Sequence, residues 1–184
     1  MFFIVEGVSV TVKRQVLFFL FAAAVLASYV AIRTITGGTG FEKHVPLPRL
    51  PAVSFYDKSG TKVTLDDFRG RVVLVNLWAT WCPPCIAELP SLDRLQKMLP
   101  EDKFAVVAIS MDTTSMEAVA GFLKKRSVKN LDVYWDKDRQ LPLKWKYDGL
   151  PTSFLLDRDG NVMKRYDGPV VGDMLNEVKT LVLK

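Results

Sequence analysis

The chain has 184 residues, of which 49% are hydrophobic and 24% charged, so it belongs to neither the disordered nor the fibrous class. Two cysteines and one histidine exclude a small disulfide-stapled scaffold, and they exclude a zinc site with four soft ligands from this chain alone. The net charge of +5 is mild and spread along the chain, which argues against a nucleic-acid-binding protein.

The amino terminus contains an apolar segment that is long enough to span a membrane. No charged residue occurs from Val16 to Ile32, and Lys13 and Arg14 come shortly before it. The positive-inside rule predicts that residues 1–14 form a cytoplasmic tail and that the rest of the chain is exported. We expect residues 15–33 to be an uncleaved transmembrane anchor, with a cleaved signal peptide as the alternative.

A linker and one domain follow this segment. Residues 34–48 are rich in Gly, Thr and Pro and show no periodic pattern, which is typical of a tether. The only histidine, His44, lies in this linker, where solvation is the simplest interpretation. Residues 49–184 are predicted to form a single α/β domain.

The first half of this domain is predicted to contain three strands and a helix. Ala52–Tyr56 is expected to be a strand, and Val63–Gly70 a short strand with a helical turn. Arg71–Ala79 is a nearly continuous apolar run with β-branched residues, as expected of a buried central strand. A helix is predicted from Cys85, kinked at Pro90. Its apolar residues recur at spacings of three and four: Ile86, Leu89, Leu92, Leu95 and Leu99.

The second half continues the alternation of strands and helices. Thr114 and Glu117 form a capping-box signature for a helix that runs to about Arg126. The other predicted elements are a buried strand at Phe104–Ser110, a short strand at Asp132–Trp135, an irregular helix up to Lys146 broken at Pro142, a hairpin of Thr152–Asp157 with Val162–Tyr166, and a terminal helix with Val171, Leu175, Val178 and Val182 on one face. This order predicts a mixed sheet with helices on both faces.

The motif best suited to catalysis is Trp81-Cys82-Pro83-Pro84-Cys85, which lies between the predicted central strand and the predicted helix. The free N–H groups and partial positive charge of a helix N-terminus stabilise a thiolate at the first cysteine. We therefore predict that Cys82 is an exposed nucleophile and that Cys85 resolves the mixed disulfide. Two other interpretations of this cysteine pair are weaker. The pair could be half of a zinc site, but the chain has no second pair of such ligands. It could be a structural disulfide, but a bond that closes a loop of four residues would stabilise the fold little.

Two stretches of the domain carry a family resemblance. The segment from Phe55 through Pro90, with its Cys-Pro-Pro-Cys motif, and the segment from Gly149 to Asp157 resemble signatures of the TlpA/ResA-like branch of the thioredoxin superfamily. The resemblance covers residues 49–184. It implies a thioredoxin fold with an added N-terminal β-hairpin and a helical insertion after the third strand.

The same resemblance implies roles for individual residues. Cys82 and Cys85 would form the redox disulfide of a thiol:disulfide oxidoreductase, beside the active-site residue Trp81. Pro151 would be a cis-proline that faces the cysteines, and Leu150 would offer its backbone to an extended substrate segment. An ordinary trans proline is the alternative at Pro151.

An acidic residue forms the remaining part of the predicted site. Thioredoxin has an aspartate where this chain has Asn76, whereas the membrane-bound branch has a glutamate that matches Glu88. Glu88 lies three residues beyond Cys85 and therefore on the same helical face. If it is partly buried, a raised pKa would suit it to take the proton of Cys85. A solvated helix carboxylate is the alternative.

The direction of electron flow is predicted from the residues between the cysteines. Pro83 and Pro84 supply no hydrogen bond or charge to the thiolate, so we expect a reductant with a potential below roughly −200 mV. The resemblance then implies a protein of the bacterial inner membrane with its catalytic domain in the periplasm, reduced by a DsbD/CcdA-type membrane carrier. Implied clients are apocytochrome c, oxidase subunit II or its copper chaperone. The cytochrome c branch often has a glutamate after the cis-proline, where this chain has Thr152, so the resemblance favours the copper-site clients.

A different function uses the same two cysteines. Cys82 and Cys85 would then hold Cu(I) as soft ligands in a respiratory-assembly protein. Copper chaperones of this fold add a downstream histidine, and no histidine follows Cys85. We therefore favour disulfide exchange, with no cofactor and no resident metal.

Overall fold

The computed structural model describes Leu20 and residues 49–183. The predicted tail, anchor and linker, with His44, lie outside the described residues except for Leu20. Among the residues that are described, no helix has the length and apolar character needed to cross a membrane.

The described domain alternates strands and helices in the predicted order. The strands are β1 (Ser54–Tyr56), β2 (Lys62–Thr64), β3 (Val72–Trp78), β4 (Phe104–Ser110), β5 (Val133–Trp135), β6 (Thr152–Leu156) and β7 (Val162–Asp167). The α-helices are α1 (Pro83–Met98), α2 (Met116–Lys125), α3 (Leu141–Lys144) and α4 (Asp173–Val182), and a 3₁₀ helix covers Leu65–Phe68.

The strands form one mixed sheet in the order β2-β1-β5-β4-β3-β6-β7. β3, β4 and β5 are parallel, and they are the strands that α1 and α2 connect. β6 pairs antiparallel with β3 and with β7, and β1 pairs antiparallel with β2 and β5. The predicted N-terminal hairpin is β1–β2, and α2 with β5 lies between β4 and the last hairpin.

Alternate residues of the buried strands face two different layers. One face, here called the apolar face, packs against the short helices and contains Phe55, Phe68, Leu141, Trp145 and Phe154. The other, here called the helical face, packs against α1, α2 and α4 through Leu89, Leu92, Val119, Val178 and Val182. The prediction of helices on both faces is confirmed, although only short helices cover the apolar face.

The predicted start of the active-site helix is wrong. α1 begins at Pro83, two residues before Cys85, and Cys82 is its N-cap with φ −100° and ψ 102°. Proline has a fixed φ that fits the first helical turn, where its missing N–H breaks no helical hydrogen bond. The helix continues through Pro90 to Met98.

Two later helices also begin at other residues than predicted. α2 is capped by Ser115 rather than Thr114, because the Ser115 hydroxyl accepts the Ala118 N–H at 3.3 Å. α4 begins at Asp173, so Val171 lies before the helix and is 43% exposed.

Candidate active site

Three loops leave the sheet at the same edge and form the candidate site. Residues 79–82 follow Trp78, the last residue of β3. Leu77 pairs with Thr152 at the start of β6, and Thr152 pairs with Asp167 at the end of β7. The loop before α1, the segment before β6 and the loop after β7 are therefore neighbours at this edge.

The two cysteines form a disulfide at the N-terminus of α1. Their Cα atoms are 5.3 Å apart, and the backbone N–H of Cys85 donates to Cys82 Sγ at 3.3 Å. A free backbone N–H at a helix N-terminus would stabilise negative charge on that sulfur after reduction. This geometry would suit Cys82 as a nucleophile, and its catalytic role stays a prediction.

The prediction that Cys82 is exposed is wrong in degree. Its exposed fraction is 4%, and that of Cys85 is 0%. Both cysteines belong to an apolar cluster on the helical face with Trp78, Ala79 and Leu89, which cover most of their surface. Cys82 is nevertheless the cysteine that retains solvent access.

The predicted substrate-binding residues lie around this pair. The Leu150–Pro151 peptide bond is cis, as expected, and Leu150 packs against the cluster that contains both cysteines. The carbonyl of Pro151 accepts the Gly168 N–H at 2.9 Å, which ties this segment to the loop after β7. Trp81 is 67% exposed, so its indole is available to a partner.

Glu88 is fully buried one turn after Cys85 on α1. Its Oε1 accepts the Asn76 Nδ2–H at 2.9 Å, and its Oε2 accepts the Val170 N–H at 2.7 Å. Burial raises the pKa of Glu88 from 4.5 to about 7, and the bonds to Asn76 and Val170 oppose that rise. A carboxyl with a pKa near neutrality can both take and release a proton.

Asn76 connects Glu88 to a third strand. Its Nδ2 also donates to Ser153 Oγ at 2.9 Å, and Asn76 and Ser153 are directly paired across β3 and β6. All three side chains are fully buried. We call Asn76, Glu88 and Ser153 the polar cage.

Asp112 fixes the loop that leads to the cysteines. Its carboxylate accepts the Thr80 N–H at 3.0 Å, the Thr80 hydroxyl at 2.6 Å and the Ser110 hydroxyl at 2.8 Å. The Trp135 indole N–H donates to its carbonyl at 2.8 Å. These bonds hold the residue before Trp81 against the end of β4.

Three contributors to this site were not predicted from the sequence. Asp112 could have been found, because it lies two residues after the end of the buried strand β4, at the edge where the loops meet. Ser153 becomes visible only once the register of β6 against β3 is known. The backbone N–H of Val170 has no signal in the sequence, because its role depends on the path of the loop.

The described residues contain no group of three or more His, Cys, Asp or Glu side chains placed to hold a metal ion. The groups at the site are two sulfurs, the buried carboxyl groups of Glu88 and Asp112, and backbone groups. This set of groups can carry out exchange between thiols and disulfides with a local proton acceptor.

Comparison with known proteins agrees with this chemistry. The redoxin family profile matches residues 48–182. The thiol-disulfide oxidoreductase ResA of Bacillus cereus is 31% identical over 166 residues, which cover 90% of this chain and 95% of that protein. ResA of Bacillus subtilis is 32% identical over 126 residues, which cover 68% of this chain and 69% of that protein.

A solved structure gives the same result for the fold. A proposed thiol:disulfide interchange protein DsbE from Chlorobium tepidum superposes with a TM-score of 0.66 at 30% identity. The match covers 76% of this chain and 98% of the other. The described domain therefore has the thioredoxin-like arrangement of a mixed sheet and helices that the sequence predicted.

Proposed function

This chain belongs to the redoxin family and is a thiol:disulfide oxidoreductase of the ResA/DsbE type, and we propose that it acts as a membrane-anchored reductant of disulfides in exported client proteins. The observation that carries the proposal is the disulfide at the N-terminus of α1, with buried Glu88 one turn further along the helix. The proposal concerns the direction of electron flow, the location and the clients.

The reaction begins from the reduced pair. The Cys82 thiolate attacks one sulfur of the client disulfide, forms a mixed disulfide and releases the other client sulfur as a thiolate. Cys85 then attacks Cys82 Sγ, which releases the second client thiolate and closes the Cys82–Cys85 disulfide. Two electrons have passed from the dithiol to the client, and the chain is left in the disulfide form described above.

Glu88 is the proposed proton acceptor for the second attack. Cys85 must lose its proton before it attacks, and it is fully buried, so a local base is needed. Glu88 has a pKa of about 7 in this environment and lies on the same helix three residues away. It therefore takes the proton from Cys85 without needing a strongly basic medium.

Client recognition is assigned to Trp81, Leu150 and Pro151. The exposed indole of Trp81 offers an apolar contact, and the Leu150–Pro151 segment lies beside the cysteine cluster, directly before β6. An extended client segment pairs with such backbone and presents its disulfide to Cys82.

The pathway follows from an exported reductant. An oxidising compartment would use up the dithiol, so a DsbD/CcdA-type membrane carrier restores it. Residues 15–33 anchor the chain in the bacterial inner membrane with its catalytic domain in the periplasm, near that carrier. Its clients are the cysteine pairs of apocytochrome c, of oxidase subunit II or of a copper chaperone, before haem or copper binds.

A redox titration of the full chain tests the direction of electron flow. The Cys82–Cys85 pair is equilibrated with dithiothreitol or glutathione mixtures, and its thiols are counted by alkylation and mass spectrometry. We expect a potential below roughly −200 mV, in the range of reductants. A potential near that of strongly oxidising periplasmic enzymes, roughly −120 mV, would overturn the reductant proposal.

A trapping experiment tests the client class. The Cys85→Ser chain retains Cys82 and cannot resolve the mixed disulfide, so bound clients accumulate and can be identified. Capture of apocytochrome c or copper-site proteins, and its loss in Cys82→Ser, would support the proposed pathway. Reductase activity with neither client captured would leave the chemistry in place and overturn the pathway.

A further inference from the structure

The carboxamide of Asn76 is held from one side only. Its Nδ2 donates to Glu88 Oε1 and to Ser153 Oγ, each at 2.9 Å. Its Oδ1 is buried and has no hydrogen-bond partner among the described residues. Among the described residues, only Glu88 and Ser153 therefore hold the carboxamide of Asn76 in its present orientation by side-chain hydrogen bonds.

The same amide can match either protonation state of Glu88. A charged carboxylate only accepts hydrogen bonds, so the Nδ2 donor must face it. A neutral carboxyl has an O–H donor, which needs an acceptor. Turning the amide over brings Oδ1 to that place, and the Ser153 hydroxyl, which is both donor and acceptor, then donates to Oδ1 instead of accepting from Nδ2.

The backbone determines which oxygen of Glu88 is protonated. The Val170 N–H donates to Oε2 at 2.7 Å, and a backbone N–H cannot become an acceptor. The proton therefore belongs on Oε1, the oxygen that faces Asn76. Cys85 is the titratable group one turn before Glu88 on the same helix, and no charged side chain in the described part of the chain contributes to the shift of the Glu88 pKa.

We propose that Asn76 and Ser153 are positioning residues that reverse their hydrogen bonds, so that Glu88 keeps one position in both its charged and its neutral state. This inference rests on the proposed function, in which the Cys85 S–H bond breaks, the proton passes to Glu88 Oε1 and the electron pair stays on sulfur. Asn76 Oδ1 then accepts the new O–H bond. The cage thus accepts a proton without moving the carboxyl away from Cys85.

Nuclear magnetic resonance of the labelled full chain in detergent observes the amide directly. In the oxidised protein, nuclear Overhauser effects between the Asn76 Nδ2 protons and the Ser153 Hβ protons are followed from about pH 5 to about pH 9, together with the Glu88 carboxyl carbon. We expect strong effects above the Glu88 midpoint and their loss below it. Effects that stay constant while Glu88 titrates would overturn the inference.

Glu88→Gln is the matched control for this measurement. Its amide oxygen can accept the Val170 N–H, and its NH₂ group must then donate to Asn76. The inference therefore predicts the turned orientation of Asn76 at every pH in this variant. An Asn76 amide that keeps its Nδ2 protons near Ser153 in Glu88→Gln would contradict it.

Two substitutions of Asn76 give a functional readout that a purely structural role would not move. Asn76→Asp can accept a hydrogen bond from neutral Glu88 but repels charged Glu88. The midpoint of the rate–pH profile should therefore rise by more than about one pH unit, which lowers the ratio of ionised to neutral Glu88 about tenfold at a given pH. Asn76→Leu loses the donor without adding a charge, so its midpoint should rise by less. Equal midpoints in all three proteins would overturn the positioning role.

These experiments distinguish a failure of the amide reversal from a failure of the proposed function. If the wild-type chain reduces client disulfides and the amide does not turn, the inference fails and the function stands. If the chain reduces no client, the proposed function fails, and the resonance measurement still reports whether Asn76 follows the charge on Glu88.

Discussion

The two faces of the central sheet are built by the same strands but differ in polarity. On the apolar face, alternate residues of β3 join aromatic side chains in a hydrophobic cluster that includes Val73, Val75, Leu77, Phe55, Trp145 and Phe154. On the helical face, the intervening residue Asn76 meets Glu88 and Ser153 in the polar cage. One strand therefore supports both an apolar cluster and a proton-binding site.

This difference separates stability from chemistry. Burial of apolar side chains is the main favourable contribution to folding, whereas burial of polar groups costs free energy unless they are hydrogen-bonded. The raised pKa of Glu88 reflects that cost. Substitutions on the apolar face should therefore lower the free energy of unfolding and leave the pH dependence of the reduction rate unchanged. Substitutions at the active site should change the reduction rate or its pH dependence.

The largest effect is expected from removing the nucleophile. Cys82→Ser carries a hydroxyl that does not ionise near neutral pH, so the rate of client-disulfide reduction should fall to background. The rate is measured with a disulfide-containing client peptide and a chemical reductant. Cys85→Ser is the matched control, because it should still form the mixed disulfide, which mass spectrometry detects. Reduction at the wild-type rate by Cys82→Ser would contradict the assignment of the nucleophile.

The next largest effect is expected on the apolar face. Phe55 is fully buried and packs edge-on against Tyr134, with ring centroids 5.3 Å apart. Phe55→Ala should lower the free energy of unfolding by about 3–5 kcal/mol, measured by urea denaturation. Leu143→Ala, at a residue that is 85% exposed, is the control and should change it by less than about 0.5 kcal/mol. A shifted midpoint in the rate–pH profile of folded Phe55→Ala would contradict the division between a stabilising apolar face and a catalytic helical face.

A third prediction concerns the pH dependence of stability at Glu88. Its pKa is raised from 4.5 to about 7 in the folded state, so the folded protein binds the proton more tightly than the unfolded chain does. The resulting stabilisation is complete below pH 4.5 and is lost as the pH rises to about 7. It amounts to about 3 kcal/mol.

Glu88→Gln removes this titration and retains the shape of the side chain. The wild-type oxidised protein should therefore lose about 3 kcal/mol relative to Glu88→Gln as the pH rises through this window. Urea denaturation of both proteins at several pH values measures the difference. A constant difference across the window would show that Glu88 has an ordinary pKa in the folded protein.

The fold was predictable because its signals are local. β3 and β4 are nearly continuous apolar runs, and the Cys-Pro-Pro-Cys motif lies between a buried strand and a helix. Asn76 is the one polar residue of β3, so the sequence already marked the position where the cage lies. Glu88 was identified through the family resemblance, and helical spacing then placed it on the same helical face as Cys85.

The remaining parts of the site depend on contacts between distant segments. Ser153 reaches Asn76 across 77 residues of chain, and Val170 reaches Glu88 across 82. These contacts depend on the register of β6 and on the path of the loop after β7, which no local pattern specifies. The predicted exposure of Cys82 was too high for a similar reason, because the residues that cover it come from several elements.

The smallest effect is expected where the helical face meets the active-site loop. The Thr80 hydroxyl donates to the buried Asp112 carboxylate at 2.6 Å, while the Thr80 backbone and Ser110 supply further donors. Thr80→Val removes one of several donors, so the free energy of unfolding should fall by about 1–2 kcal/mol.

The matched control is Thr113→Val, the same substitution at a neighbouring exposed residue. It should leave stability within about 0.5 kcal/mol of the wild type. If Asp112 orders the loop before Cys82, Thr80→Val should also raise the KM for client disulfides. The midpoint of the rate–pH profile, which reports the ionisation of Glu88, should stay unchanged. A shifted midpoint with an unchanged KM would instead show that Asp112 and Glu88 act on the same proton, and the helical face would then contain one extended polar site rather than a cage and a separate loop support.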